Sequence, residues 1–150
     1  MSDNFEIKLE KENKYQIIFD FIKDISFEIP SIEAFTDATQ NLNKYESTIN
    51  LSTKNIKDQL YELNCIFTIK PPETFNNKIY AEICLAIIFK LLEPKISQNE
   101  FKKITLAEIP NFYSKKIKKI IEEIFRQSGF NNFSLNKEIN FMELFENQNK

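Results

Sequence analysis

A chain of 150 residues with 42% hydrophobic and 28% charged residues, 15 Phe and no Trp has the composition of one soluble globular domain able to bury a core. Its formal net charge of −2 favours neither a nucleic acid nor an anionic membrane surface as a partner. The absence of His removes the commonest general base and the imidazole metal ligands, and a single glycine, Gly129, leaves no glycine-rich phosphate cradle.

Residues 1–14 are polar and without period, which predicts a mobile tail ahead of one domain over 15–150. From Phe19 to Ile29 the apolar residues Phe19, Phe21, Ile25, Phe27 and Ile29 sit two apart, and Asp20, Asp24, Ser26 and Glu28 share the other face, with Lys23 as the exception. This reads as a half-buried strand that Pro30 ends or confines to an edge, because proline has no amide hydrogen for a ladder. Ser31 to Lys44 is polar with scattered apolar residues and reads as a loop. Ile49 and Leu51, alternating with Thr48, Asn50 and Ser52, give a second strand. Tyr61, Leu63, Cys65, Phe67 and Ile69 give a third, closed by Lys70, Pro71 and Pro72.

The run from Ile79 to Leu91 is apolar on both faces through its middle, so the alternation predicts a strand covered on both sides, one of them by self-association. The period then changes. Tyr113, Ile117, Ile120, Ile121, Ile124 and Phe125 fall on one stripe of a helix, with Pro110 at its entry and Gly129 just past its last turn. Phe141, Leu144 and Phe145 predict a short terminal helix. Strands followed by helices give an α+β fold with a four-stranded antiparallel sheet, a long C-terminal amphipathic helix and a short terminal one.

Chemistry is sparse. Cys65 and Cys84 are far apart inside apolar runs and read as small buried hydrophobes. No secretory signal pattern opens the chain and no stretch reaches the roughly 18 apolar residues of a membrane span, which points to a reduced, cytoplasmic setting. KKIKKII, Lys115 to Ile121, reads as a solvated helix face, since Glu122 and Glu123 follow at once and the isoleucines claim the other side. Asp20, Asp24 and Glu28 lack a nucleophile or metal partner and read as a solvated or a protein-docking face. The residues alone therefore point to an oligomeric α+β interaction protein without catalysis, cofactor or metal.

The segment KDISFEIP (Lys23 to Pro30), the strand AEICLAIIF with Glu82 and Phe89, and the ending GFNNFSLNKEINFMELF (Gly129 to Phe145) resemble SecB, the bacterial protein-export chaperone family, over roughly 15–145. The resemblance implies a homotetramer, a dimer of dimers, that holds unfolded precursor proteins in long apolar grooves without ATP and passes them to the SecA motor. It implies that Asp24, Glu28 and Glu82 face SecA, and that Ile49, Leu51 and Phe145 contact clients. Three features depart from the family pattern. Ile87 stands where the family has glycine, NFYSKKIK replaces an LFPYAR-like helix entry, and the sequence ends at ENQNK without a basic zinc-binding tail, so either the acidic face carries motor docking alone or the partner differs. The rival from another class is an oligomeric scaffold or regulator of one folded partner. A chaperone devoted to a toxin and antitoxin pair is a third reading.

Overall fold

Four extended runs become strands, and the computed structural model pairs them into one antiparallel sheet; it describes residues 14–135 and 141–148, apart from the side chains at 143–145 and 148. The strands are β1 (Tyr15–Glu28), β2 (Glu46–Lys57), β3 (Leu60–Lys70) and β4 (Tyr80–Leu91), and their order across the sheet is β1-β4-β3-β2. β3 and β4 are central, and β1 and β2 are edges. The helices are α1 (Ile32–Asn41), α2 (Gln98–Lys103), α3 (Ile109–Gln127) and α4 (Phe141–Gln148). The expected α+β class, antiparallel sheet, long helix and short terminal helix are all present, together with two helices that the apolar spacing did not predict.

One face of the sheet builds the core. The odd-numbered residues of β4 lie opposite the apolar row of β3, with Leu85 facing Cys65, Ile87 facing Leu63 and Phe89 facing Tyr61. Leu63, Leu85, Ile87 and Phe89 are completely buried, and Ile117, Ile121 and Phe125 of α3 are buried in the same cluster. Each such side chain removed from water stabilises the fold by about 1.5–3 kcal/mol. Phe27 joins β1 to α3 through an edge-on contact with Phe125 at 5.1 Å.

The segment from Ser31 to Lys44, expected as a loop, is helical. Ser31 caps α1 by accepting a hydrogen bond from the Ala34 amide at 3.1 Å, and a 3-10 turn at Leu42–Lys44 follows the helix. Ala34 and Ala38, four apart, are buried, and Phe35 packs against the core. Thr36, Thr39 and Asn41 turn their side chains back onto carbonyls of the preceding turn, which lets poor helix formers occupy the exposed side.

The helical run ahead of α3 begins at Ser97, whose hydroxyl accepts from the Glu100 amide at 3.0 Å. Between α2 and α3 a π-turn spans Ile104–Glu108. Pro110 follows it in the first turn of α3, where a residue with no amide hydrogen interrupts the regular ladder least. At the other end of α3, Gly129 has φ 106°, its amide donates to Arg126 and the Phe130 amide donates to Phe125. These two bonds and the Phe125–Phe130 ring contact form a Schellman cap.

Gly129 is constrained twice, because a Cβ placed there would lie 2.9 Å from the Phe35 ring of α1 as well as on a positive-φ backbone. Gly129→Ala is expected to cost about 1–3 kcal/mol, read as a lower urea midpoint with unchanged slope; an unchanged midpoint contradicts this cap assignment.

Candidate functional site

Residues directly opposite in a sheet share a face, so the ladder between β1 and β4 decides where the charged groups of β1 point. Its register shifts twice, between Ile17 and Phe19 and between Ile22 and Asp24. Each unpaired residue, Ile18 and then Lys23, reverses the alternation that follows. Tyr15, Ile17, Asp20, Ile22, Ile25 and Phe27 thus lie on the helix-covered face, opposite odd-numbered residues of β4. Phe19, Phe21, Asp24, Ser26 and Glu28 lie on the other face, which no helix among the described residues covers.

This corrects the half-buried strand expected from simple alternation. Phe19 and Phe21 share the open face with Asp24 and Glu28, while Asp20 belongs to the helix side. The strand is also far more exposed than expected, with Phe19 at 55%, Phe21 at 41% and Ile25 at 46%. Asp20 instead accepts a hydrogen bond from the buried Tyr113 hydroxyl at 2.8 Å and pairs with Lys116, tying the edge strand to α3. Burial first, and Asp20 second, push the Tyr113 phenol up, so it stays a donor.

The open face brings together all three residues of the expected acidic set. Ser26 faces Glu82 across the ladder, with Asp24 and Glu28 two residues to either side on β1. Asp24 and Glu28 are exposed and Glu82 is half-buried. The Ser26 hydroxyl donates to Asp24 at 3.2 Å, and the Tyr80 hydroxyl donates to Glu82, which raises the tyrosine pKa. Nearby, Lys23 reaches over β4 to Glu62 at 2.6 Å; Asn64 also donates to Glu62 and receives the Cys84 thiol. The Lys23 ammonium holds the Glu62 carboxyl below the usual carboxylate range.

On this face Ala86 and Ile88 of β4 are buried as well. They face Phe21 and Phe19 on β1 and Asn64 and Glu62 on β3. Tyr80 and Lys90 of the same row are exposed and Glu82 and Cys84 half-buried, so the two-sided apolar run does not by itself require a partner on this face.

The client set lies elsewhere. Ile49 and Leu51 sit on edge strand β2, opposite Phe67 and Cys65, half-buried on the helix-covered face. They are adjacent to each other but on the opposite face from the acidic set and at the far edge of the sheet. The Phe145 side chain lies outside the described residues, so its position relative to them is not defined. α4 itself packs on the π-turn and α3, with Phe141 buried.

A further apolar surface was not anticipated as such. Ile22 and Ile25 are both exposed on the helix side of β1, and Ile25 lines a small apolar recess of about 10 Å³ with Phe27, Ile83, Ile121 and Ile124. The signal was present in the sequence as the run IIFDFI, but only the bulges turn it outward. Among the described residues no group of three or more His, Cys, Asp or Glu side chains could hold a metal, and no helix is long and apolar enough to cross a membrane. Burial pushes the Cys65 thiol up to about 12, which makes it a poor nucleophile.

Comparison with known proteins agrees with this arrangement. The family model described as preprotein translocase subunit SecB matches residues 8–150. A provisionally named protein-export protein SecB of Pelagibacter ubique is 29% identical over 132 residues, covering 88% of this chain and 94% of that protein. Among solved structures, a SecB-like chaperone of Mycobacterium tuberculosis, in complex with an antitoxin peptide, has the same fold. It matches with a TM-score of 0.61 at 7% identity, over 90% of this chain and 98% of that one. A family match across nearly the whole sequence, on a sheet with the order and helices described above, shows that this chain belongs to the SecB family.

Proposed function

We propose that the protein is an export chaperone that holds unfolded precursor proteins without ATP and delivers them to a SecA-like motor in the cytoplasm. The observation that carries this reading is the division of the sheet: an apolar pair on one face at the β2 edge, and a carboxylate row on the other face at the β1 edge. A holdase that hands over its load needs two surfaces that can be occupied at once. Contacts through Ile49, Leu51 and Phe145 would be apolar and non-directional, which suits clients of many sequences. Carboxylates at Asp24, Glu28 and Glu82 would supply charge-dependent docking with a fast on-rate.

The same reading takes the protein as a homotetramer, a dimer of dimers. β1 is a long edge strand with Ile18, Ile22 and Ile25 exposed, and such an edge is an aggregation hazard for a lone chain in water. Pairing with β1 of a second copy would cover it. Membership of the SecB family does not favour the scaffold or regulator alternative.

Changing Ile49, Leu51 and Phe145 together to Ser is expected to abolish suppression of client aggregation while native mass and helical content stay unchanged; full retention of holding activity would sink the client assignment. Reversing Asp24, Glu28 and Glu82 to Lys is expected to weaken SecA binding by roughly tenfold or more in titration calorimetry and to leave client holding intact. Unchanged SecA affinity contradicts the docking assignment.

A further inference from the structure

The middle of β1, between its two bulges, has a second place to sit. The first register pairs Tyr15 with Leu91 and Ile17 with Phe89; Ile18 is then skipped, and Phe19 to Ile22 pair with Ile88 to Leu85. Were Ile18 paired instead, that first register would run on, placing Phe19 opposite Ile87, Asp20 opposite Ala86 and Phe21 opposite Leu85. Ile22 would join Lys23 as an unpaired residue, and Asp24 would still meet Cys84. Neither end of the strand has to move. Tyr15 and Ile17 stay in the core, and Phe27 stays on Phe125.

Apolar burial gives the segment little preference for its present facing. Ile18, Phe19, Phe21 and Ile22 are all between 41% and 55% exposed, so neither of its faces is committed to the core. After the slip Phe19 and Phe21 would turn to the helix side, and Asp20 would join Asp24 and Glu28 on the open face. What opposes the slip is polar. The hydroxyl of the buried Tyr113 donates to Asp20 at 2.8 Å, and Lys116 pairs with the same carboxylate. Withdrawing Asp20 takes the acceptor away from a donor held inside the protein, which costs the desolvation of that donor.

We infer that Phe19 to Ile22 form a one-residue register switch, latched in the described position by Tyr113 and Lys116 of α3 through Asp20. Switching exchanges two rings for one carboxylate on the open face. The two faces of the sheet are thereby coupled: a contact on the helix side that draws Lys116 or Tyr113 off Asp20 favours one register over the other and changes what the opposite face exposes. The inference uses only the ladder and the latch, and it stands apart from the client and motor assignments.

The protein has no Trp, so one introduced indole is a clean reporter. Phe21→Trp is made with the latch intact and in Tyr113→Phe/Lys116→Met. Exposure of the indole is read by acrylamide quenching, and that of Asp20 by carbodiimide labelling and mass spectrometry. Loss of the latch is expected to lower the quenching constant roughly twofold or more, to shift the emission to the blue and to raise labelling of Asp20. An indole that stays equally exposed, or becomes more so, overturns the inference whatever Asp20 does, since loss of the latch then only frays the strand. Protection accompanied by a rise in native mass also overturns it, because a contact between copies then covers the ring. Should the double variant not fold, Tyr113→Phe alone, which removes a single oxygen, carries the test with the same direction of change expected.

Discussion

Side chains on a strand alternate faces, so one unpaired residue moves everything after it to the other side of the sheet. In this protein that constraint acts on β1 against a fixed partner, β4, whose odd-numbered row is anchored beneath α3 by Leu85, Ile87 and Phe89 with no exposed surface left. Two bulges, at Ile18 and Lys23, then divide β1 into three short registers. The first places Tyr15 and Ile17 in the core, the second puts Asp20 within reach of Tyr113 and Lys116, and the third aims Phe27 at Phe125 and Asp24 and Glu28 away from the helices. Without the second shift Asp24 and Glu28 would share the face of Phe125. The bulges thus reconcile an apolar anchor and a charged surface within one strand.

The two faces consequently have different physics. The helix-covered face is dry and aromatic, with Phe125 stacked on Phe133 at 4.2 Å and packed on Phe130, and Ile49 and Leu51 lie at its margin where burial is incomplete. The open face mixes exposed rings and polar groups, Phe19 and Phe21 with Asn64 and Glu62, opposite the two buried apolar positions Ala86 and Ile88, and the Lys23–Glu62 bridge crosses it. Glu62 is ionised more readily than a free carboxyl group because of that bridge, so the contribution of the pair is complete above the ordinary carboxylate range and is lost on acidification through the lowered pKa of Glu62. Being partly exposed, it is a modest contribution. For a SecB-family protein the proposed division of labour follows naturally: apolar margin for clients, charged film for a partner, with the sheet between them.

Much of the fold was legible from residue spacing. β3 and β4 carry long two-residue periods that end at Lys70 and Leu91, and α3 carries a stripe from Tyr113 to Phe125 stopped by Gly129. α1 was hidden because its buried face is made of Ala34 and Ala38, which add little hydrophobic signal, among Thr, Asp and Asn with weak helix propensity. The start of α2 was signalled only by Ser97 followed three residues later by Glu100, a capping pair that apolar spacing does not register. The face assignment of β1 failed for a more basic reason. A bulge is decided by how a strand meets its neighbour, and the string IIFDFIKDIS is equally compatible with an unbroken alternation. Asp24 and Glu28 stood out in the spacing, whereas Glu82 joined them only through the family resemblance, and their coming together across β1 and β4 was not legible, since that depends on Ser26 facing Glu82.

The most direct measurement is promiscuity: the unmodified protein is mixed with several unrelated proteins as each is diluted from denaturant, and aggregation is followed by light scattering. A general holdase delays aggregation of all of them without ATP, because contacts through apolar side chains do not depend on a particular sequence. Protection of one protein alone, or of none, contradicts that function.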